Sequence, residues 1–167
     1  TEHVKTKFSP IGTQTRGTNN NCGNGYTPWG TYLTCEENWP GIFVNKSGAR
    51  PADQVRIGVG TGSGNYRWES VAGDPSEVNG EFSRFDVTPS GATATDDYRN
   101  EASTYGYIVE IDPYNASTRA VKRTALGRFR HEGCWPGLTT AGKPVVFYSG
   151  DDSQNEYLYK FVSTALW

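Results

Sequence analysis

The sequence has no apolar run that approaches the length needed to cross a membrane, and no excess of charge of one sign. Its formal net charge is -2, from 16 Lys and Arg against 18 Asp and Glu. Nucleic-acid binding usually requires a basic patch or stripe. The sequence therefore predicts neither nucleic acid nor a membrane as a partner. It also has no stretch of about 12 residues with the spacing of an amphipathic helix.

Histidine and cysteine are scarce. His3 and His131 are the two histidines, and they form no persuasive Ser-His-Asp arrangement for nucleophilic catalysis. The three cysteines, Cys22, Cys35 and Cys134, leave an odd thiol after any single disulfide. A disulfide from Cys22 to Cys35, one from Cys22 to Cys134, and a free thiol that binds metal are all compatible with this count.

Turn-forming and aromatic residues are abundant, with 20 Gly, 9 Pro, 5 Trp, 10 Tyr and 7 Phe in 167 residues. This composition favours an all-β fold of short strands with many turns. Strands are predicted at residues 31–36, 41–44, 55–59, 66–69, 83–87, 105–111, 120–124, 126–129, 144–148 and 157–162. The acidic stretches 71–81 and 88–101 are predicted as exposed loops.

Strands at such short intervals are typical of a sandwich or a β-propeller. A propeller blade takes roughly 40–50 residues, so this chain would supply only about three to four blades. We therefore expect one β-rich segment over residues 1–167 that belongs to a partial propeller. The rest of a longer chain, or other chains, would complete it.

The run Cys35-Glu36-Glu37 places a soft thiol beside two hard carboxylates. A thiolate suits iron or zinc, and carboxylates suit calcium, magnesium or ferric iron, so the run predicts a mixed-ligand metal site. Side chains alternate along a strand, so Cys35 and Glu37 would share a face and Glu36 would lie opposite. Both glutamates can serve one site only if the strand ends here.

Two further stretches carry candidate ligands. Glu132 follows a strand rich in cations, where a carboxylate can bind iron or calcium. Its neighbour His131, a lone histidine, would be structural or would orient Glu132. Paired carboxylates in the turn at Asp151-Asp152 suit calcium, although an ordinary Asp-rich turn looks the same.

Four blocks of the sequence resemble, in order, the PhoX-type secreted alkaline phosphatases. The blocks are residues 21–37 (NCGNGYTPWGTYLTCEE), 106–113 (GYIVEIDP), 121–133 (VKRTALGRFRHEG), and 150–152 (GDD) with 156–162 (EYLYKFV). Together they span about residues 20–163, nearly the whole chain. Four long blocks in one order are far more specific than any single short motif.

The resemblance implies a β-propeller with a central metal cluster in a secreted or periplasmic enzyme. Such enzymes use iron and calcium together to hydrolyse phosphate monoesters, and some act on diesters. The predicted metal ligands, with Cys35 bound to iron, are Cys35, Glu36, Glu37, Glu132, Asp151 and Asp152. The predicted contacts to the phosphate ester are Arg128 and His131. The family's chains are longer, so we expect an internal segment that is inactive alone.

One departure from the family pattern, and two other functions, also follow from the sequence. Cys134-Trp135-Pro136 stands where the family usually carries small apolar residues. A β-rich binding module without chemistry is one alternative. A structural chain that binds calcium for stability is the other. Metal content separates the three readings, since iron with calcium, no metal, and calcium alone are the respective expectations.

Overall fold

The computed structural model describes residues 1–71 and 82–167, which form mainly β structure with little helix. The chain divides into two compact units. The first consists of Thr1–Gly17 and Trp39–Tyr105, and the second of Thr18–Asn38 and Gly106–Trp167. No helix in the described ranges is long and apolar enough to cross a membrane. The predicted loop at 71–81 lies outside the described residues, except for Val71.

The first unit is built from short helical turns. Its α-helix, α1, spans Ala52–Ile57, follows Pro51, and ends at Gly58 with φ at 89°. Its 3-10 turns are Glu2–Val4, Trp39–Ile42, Trp68–Ser70, Ser83–Phe85 and Glu101–Thr104. Its core cluster is Trp39, Ile42, Phe43, Val59, Phe85, Val87, Ala102 and Tyr105. Aromatic packing therefore holds this unit together in place of extended strands.

Asp97 anchors a loop of the first unit and should make its stability depend on pH. Burial of this carboxyl opposes ionisation, but hydrogen bonds from the Arg99 side chain and from the backbone of Gly91, Arg99 and Ser90 outweigh it. The pKa of Asp97 is therefore held far below its ordinary value. A depressed carboxyl pKa adds stability that is present above about pH 4 and is lost as the pH falls further.

We accordingly expect Asp97→Asn to lower the free energy of unfolding by about 2–3 kcal/mol at pH 7. The difference from the unsubstituted chain should shrink when urea unfolding is repeated near pH 3. Asp112→Asn is the control, because its carboxylate accepts one backbone hydrogen bond, from Tyr114, in an exposed turn. An equal loss for Asp97→Asn at both pH values would contradict the argument.

The second unit contains seven strands in two antiparallel sheets. The four-stranded sheet has the order β1-β2-β3-β4, and the three-stranded sheet the order β5-β6-β7. The strands are β1 Asn21–Tyr26, β2 Tyr32–Glu36, β3 Ile108–Ile111, β4 Val121–Lys122, β5 Trp135–Pro136, β6 Pro144–Gly150 and β7 Leu158–Leu166. A 3-10 turn, Thr124–Leu126, follows β4. The core cluster of this unit is Leu33, Cys35, Ile108, Cys134, Val145 and Phe147.

Several predicted strands are confirmed, namely those at 31–36, 105–111, 144–148 and 157–162, and the short β4 lies within 120–124. The strand predicted at 55–59 is wrong, because residues 52–57 form α1. Those at 41–44, 66–69 and 83–87 are also wrong as strands, since 3-10 turns and isolated bridges occupy them. Residues 126–129 contain the end of a 3-10 turn and irregular backbone. Local apolar alternation did not distinguish these turns from strands.

The all-β class is thus confirmed in its coarse form. The described residues contain one four-stranded and one three-stranded sheet. A propeller of about three to four blades stays a prediction.

Candidate metal centre

A thiol and two carboxylates converge in the second unit. One ligand atom from each of Cys22, Glu37 and Glu132 lies within 4.8 Å of the others. Cys22 belongs to β1, Glu37 follows the last residue of β2, and Glu132 precedes β5. Three segments remote in sequence therefore contribute one donor each.

A β-bulge places Cys22 in this cluster. In the pairing of β1 with β2, Asn21 lies opposite Glu36 and Asn24 opposite Thr34, with a register shift between them. Cys22 and Gly23 therefore both face the single residue Cys35. Bulges re-aim side chains and are common beside functional sites.

Glycines let β1 approach the segment that carries Glu132. A Cβ at Gly23 would lie 2.4 Å from the backbone nitrogen of Gly133. A Cβ at Gly25 would lie 1.7 Å from the carbonyl oxygen of Cys134. No side chain fits at either position, so direct contact of two main chains brings the Cys22 thiol to the Glu132 carboxylate.

Backbone hydrogen bonds hold Glu37 next to β1 and next to the segment that carries Glu132. The Glu37 N–H donates to the carbonyl of Asn20 over 3.1 Å, and the His131 N–H donates to the carbonyl of Glu36 over 3.1 Å. The predicted end of the strand is confirmed, since β2 stops at Glu36. Glu37 is therefore free of the strand alternation and lies beside Cys22.

The electrostatics of the cluster favour a cation. The pKa of the Cys22 thiol is raised by its hydrogen bond to Glu37 and by the negative charge of Glu37. The charges of Asp152 and Glu37 raise the pKa of Glu132. Glu37 is 4% exposed, and its Oε2 has no hydrogen-bond partner in the described part of the chain. A buried carboxylate oxygen without a donor, next to a thiol and a second carboxylate, fits a metal ion.

Cys35 lies apart from the acidic cluster, and its binding to iron stays a prediction. This thiol is fully buried in the core cluster with Leu33, Ile108 and Cys134, and not in the acidic cluster. Burial raises its pKa to about 11, which disfavours the thiolate that a metal would need. All three cysteines are free, so neither considered disulfide is present. Cys22 is the thiol that meets the carboxylates.

The Glu36 carboxylate is not part of the cluster of Cys22, Glu37 and Glu132. Its Oε2 accepts the N–H of Gly106 over 2.8 Å and that of Tyr107 over 3.0 Å. Its Oε1 accepts from the Lys122 ammonium over 2.8 Å and from the Asn19 N–H over 3.3 Å. The carboxylate is 0% exposed and holds four donors. These bonds join the end of β2 to β4 and to the residues just before β3, while metal binding by Glu36 stays a prediction.

The Asp151-Asp152 turn lies beside Glu132. His131 and Asp151 form an antiparallel bridge, and the Asp152 N–H donates to the Arg130 carbonyl over 3.1 Å. Asp151 has a buried Oδ1 without a hydrogen-bond partner in the described residues. Asp152 is exposed, and its charge reaches both Glu132 and Cys22. The predicted proximity of these two residues to Glu132 is therefore observed, while their calcium binding stays a prediction.

The two predicted phosphate contacts differ in placement. Arg128 is partly buried, and its charge lowers the pKa of Tyr107 against the stronger raising effect of burial. His131 is fully buried, and burial lowers its pKa to about 4. The Phe129 ring covers the imidazole, with 3.6 Å between ring centroids. The contact of His131 with the phosphate ester stays a prediction, as does its alternative role of orienting the adjacent Glu132.

Cys22 was the functional residue that sequence reasoning missed. From the sequence, Cys22 is named as a disulfide partner and not among the predicted ligands, and no strand is predicted before residue 31. The signal was the alternation Cys22-Gly23-Asn24-Gly25, because glycines at every second strand position mark a close approach of another backbone.

A cavity of about 400 Å³ lies at the other end of β2. Its lining includes Trp29, Leu33, Phe147 and Glu110. The Glu110 carboxylate accepts from the Trp29 indole N–H, the Thr31 hydroxyl and the Arg123 guanidinium. This cavity contains none of the predicted ligands, so the acidic cluster is the better candidate site.

Comparison with known proteins points to one family. The profile described as "Alkaline phosphatase PhoX" matches residues 1–166. A solved structure of Pseudomonas fluorescens PhoX, in complex with vanadate as a transition state analogue, is similar with a TM-score of 0.81 and 39% identity. The match covers 99% of this chain and 26% of that one, so the chain spans about a quarter of the solved protein. No curated protein matches the sequence.

Proposed function

Because the chain belongs to the PhoX alkaline phosphatase family, we propose that it forms part of the active centre of a metal-dependent phosphomonoesterase. The observation that carries the proposal is the convergence of Cys22, Glu37 and Glu132, with a buried, unpartnered oxygen on Glu37. The resemblance names iron and calcium as the metals and a phosphate monoester as the substrate.

The donor types divide the ligands between the two metals. The Cys22 thiolate, with Glu37 and Glu132, would hold iron, since sulfur is a poor ligand for calcium. Asp151 and Asp152, on a flexible turn of oxygen donors, would hold calcium. Bound metal would supply positive charge that neutralises phosphoryl oxygens during in-line displacement.

The chain's other residues orient these ligands and the substrate. The buried Glu36 carboxylate bonds to Gly106 and Lys122 and thereby fixes the backbone next to Glu37. Arg128 is proposed to bind the phosphate bidentately, through two N–H groups and two oxygens. That P. fluorescens PhoX binds vanadate supports a site for phosphoryl transfer in this family.

The coverage of the solved relative leads to the proposal that this site is incomplete. Since the chain spans about a quarter of that protein, we propose that further ligands and propeller blades come from the remainder of a longer, secreted or periplasmic protein. The 167-residue chain should therefore bind metal without hydrolysing phosphate esters efficiently.

The test compares metal content with turnover. We expect the 167-residue chain to retain iron after gel filtration and to show no hydrolysis of p-nitrophenyl phosphate above the metal-only blank. The same residues within a full-length PhoX-type protein should hydrolyse this ester, and EDTA should abolish the activity. Glu37→Gln in that protein should lower turnover by about 100-fold or more, by loss of a metal ligand.

The contrary outcomes identify the alternatives. Calcium bound without iron, with an inactive full-length protein, would favour a structural calcium module, for which the unpartnered Asp151 Oδ1 is the supporting observation. Full activity of the isolated chain would contradict the proposal that the site is incomplete. Unchanged turnover in Glu37→Gln would remove Glu37 from the site.

A further inference from the structure

A buried histidine and serine hold the two sides of Glu132. His131, at 0% exposure, precedes it in the chain. Ser149, at 7% exposure, donates its hydroxyl proton to the carbonyl of Gly133 over 2.6 Å. His131 Nδ1 lies 2.8 Å from the same Ser149 oxygen. One linked pair of side chains therefore connects the residues before and after Glu132.

Backbone hydrogen bonds next to this pair connect Glu132 to the segments that contain Asp151 and Glu37. The Glu132 N–H donates to the Gly150 carbonyl over 3.1 Å, next to Ser149 and Asp151. The His131 N–H donates to the Glu36 carbonyl, which precedes Glu37. The peptide of Glu132 is thus the point at which the segments of Glu37 and Asp151 meet.

Proton accounting assigns the histidine tautomer. Carbonyl oxygens only accept, and the Ser149 hydroxyl has one proton, which the Gly133 carbonyl takes. Donation from Nδ1 to Ser149 Oγ is compatible with that bond, whereas donation from Nε2 to the Gly127 carbonyl is not, because Nδ1 would then have to accept the serine proton. The Nδ1–H tautomer fills the two short contacts, at 2.8 and 2.6 Å, and leaves Nε2 at 3.2 Å from the Gly127 carbonyl.

The hold on Glu132 opposes a specific electrostatic tendency. Glu132 is exposed, and its like-charged neighbours Glu37 and Asp152 repel it. The following residue, Gly133, has φ at 106°, a left-handed conformation that glycine adopts without the strain of a side chain. Two side chains hold Gly133, since its N–H donates to the Cys35 sulfur and its carbonyl accepts from the Ser149 hydroxyl. Loss of the Ser149 bond frees the carbonyl side of this glycine, next to the repelled carboxylate.

We propose that His131 and Ser149 form a positioning pair that orients Glu132 and thereby sets the affinity of the acidic cluster for metal. This inference rests on the proposed function, in which Glu132 is a ligand. Residues that orient metal ligands typically change affinity by about 10–100-fold when they are substituted. The pair touches neither substrate nor metal, since Phe129 covers the ring and Ser149 is buried.

The experiment titrates the chain with Co²⁺ alone and follows the charge-transfer absorption of the Cys22 thiolate. Ser149→Ala should weaken Co²⁺ binding by about 10–100-fold, and Ser149→Thr, which keeps the hydroxyl, should restore most of it. His131→Asn places a donor near Nδ1 and should bind Co²⁺ more tightly than His131→Gln, which places its amide near Nε2. If Ser149→Ala does not fold, the comparison of His131→Asn with His131→Gln tests the positioning role instead.

Ser163→Ala is the matched control. The Ser163 hydroxyl also joins two backbone groups, since it accepts from the Val145 N–H over 2.8 Å and donates to the Ala165 carbonyl over 2.6 Å. The urea midpoints of the metal-free Ser149→Ala and Ser163→Ala chains should shift similarly, while Co²⁺ affinity should fall only in the first. The ¹⁵N shifts of His131 should report Nδ1–H in the unsubstituted chain.

Two results would overturn the inference. Equal Co²⁺ affinity in Ser149→Ala and the unsubstituted chain would remove the positioning role while leaving the metal site intact. A similar affinity loss in Ser163→Ala would show a general effect of stability. If the unsubstituted chain binds no Co²⁺, the proposed function and this inference both fail, and Glu37→Gln shows whether any observed binding belongs to the cluster.

Discussion

Glu36→Gln is expected to lower the free energy of unfolding by about 3–5 kcal/mol, whereas the same change at Glu37 should leave it nearly unchanged. The Glu36 carboxylate is fully buried and pairs with Lys122, whose side chain is 9% exposed. A neutral amide removes the carboxylate charge that faces this buried ammonium. Removing one partner of a buried ion pair is strongly destabilising for that reason.

The adjacent Glu37 is also buried, at 4% exposure, but it forms no ion pair with the described residues. Its Oε2 has no hydrogen-bond partner in the described residues, and its charge adds to those of Glu132 and Asp152. In the metal-free chain, Glu37→Gln removes one repulsive charge and no ion pair. Glu37→Gln should sharply weaken metal binding. Glu36→Gln should keep metal binding in the fraction of the chain that is folded.

Urea unfolding of the metal-free chain, followed by Co²⁺ titration, checks both changes. Glu37→Gln is the matched control for Glu36→Gln, because the two differ by one position in the chain. A stability loss at Glu37 as large as that at Glu36 would contradict the assignment of separate roles. Loss of metal affinity in well-folded Glu36→Gln would place that carboxylate in the site.

The second large effect concerns two thiols. Cys22→Ser should abolish the thiolate charge-transfer band of bound Co²⁺ and weaken metal binding by about 100-fold or more, because a hydroxyl is a much poorer ligand. Cys35→Ser should leave the band in place and lower the free energy of unfolding by about 1–3 kcal/mol, since it buries a hydroxyl in an apolar cluster.

Cys134→Ser serves as the control for Cys35→Ser. Both thiols are fully buried in the same core cluster, and burial raises the pKa of Cys134 to about 12. The two substitutions should therefore destabilise the chain alike without affecting Co²⁺. Loss of the band in Cys35→Ser, with Cys22→Ser unaffected, would restore the ligand that the sequence favoured.

The contrast between these thiols shows what the sequence could and could not predict. The Cys35-Glu36-Glu37 run predicted a site at the end of a strand, and β2 does end at Glu36 beside the cluster. Which thiol reaches that site depends on the bulge in β1, a register shift that no local pattern specifies. Low strand propensity of Asn and Gly concealed β1 itself.

The proximity of Glu132 to the Asp151-Asp152 turn was predicted from the family resemblance, which implies that these residues share one site. Local patterns could not predict it, because it depends on pairing between distant segments. The error at residues 55–59 has a local cause. Pro51 and Gly58 bracket α1 as start and stop signals, which outweigh the apolar alternation within a helix of six residues.

The glycines of β1 act as a spacer made of bare main chain. Because Gly23 and Gly25 touch the backbone of Gly133 and Cys134, the width of the donor cluster is set by rigid peptide units. Substitutions of apolar side chains in the core, such as Leu33 or Phe147, are therefore expected to change the stability of the fold more than the spacing of the donor atoms.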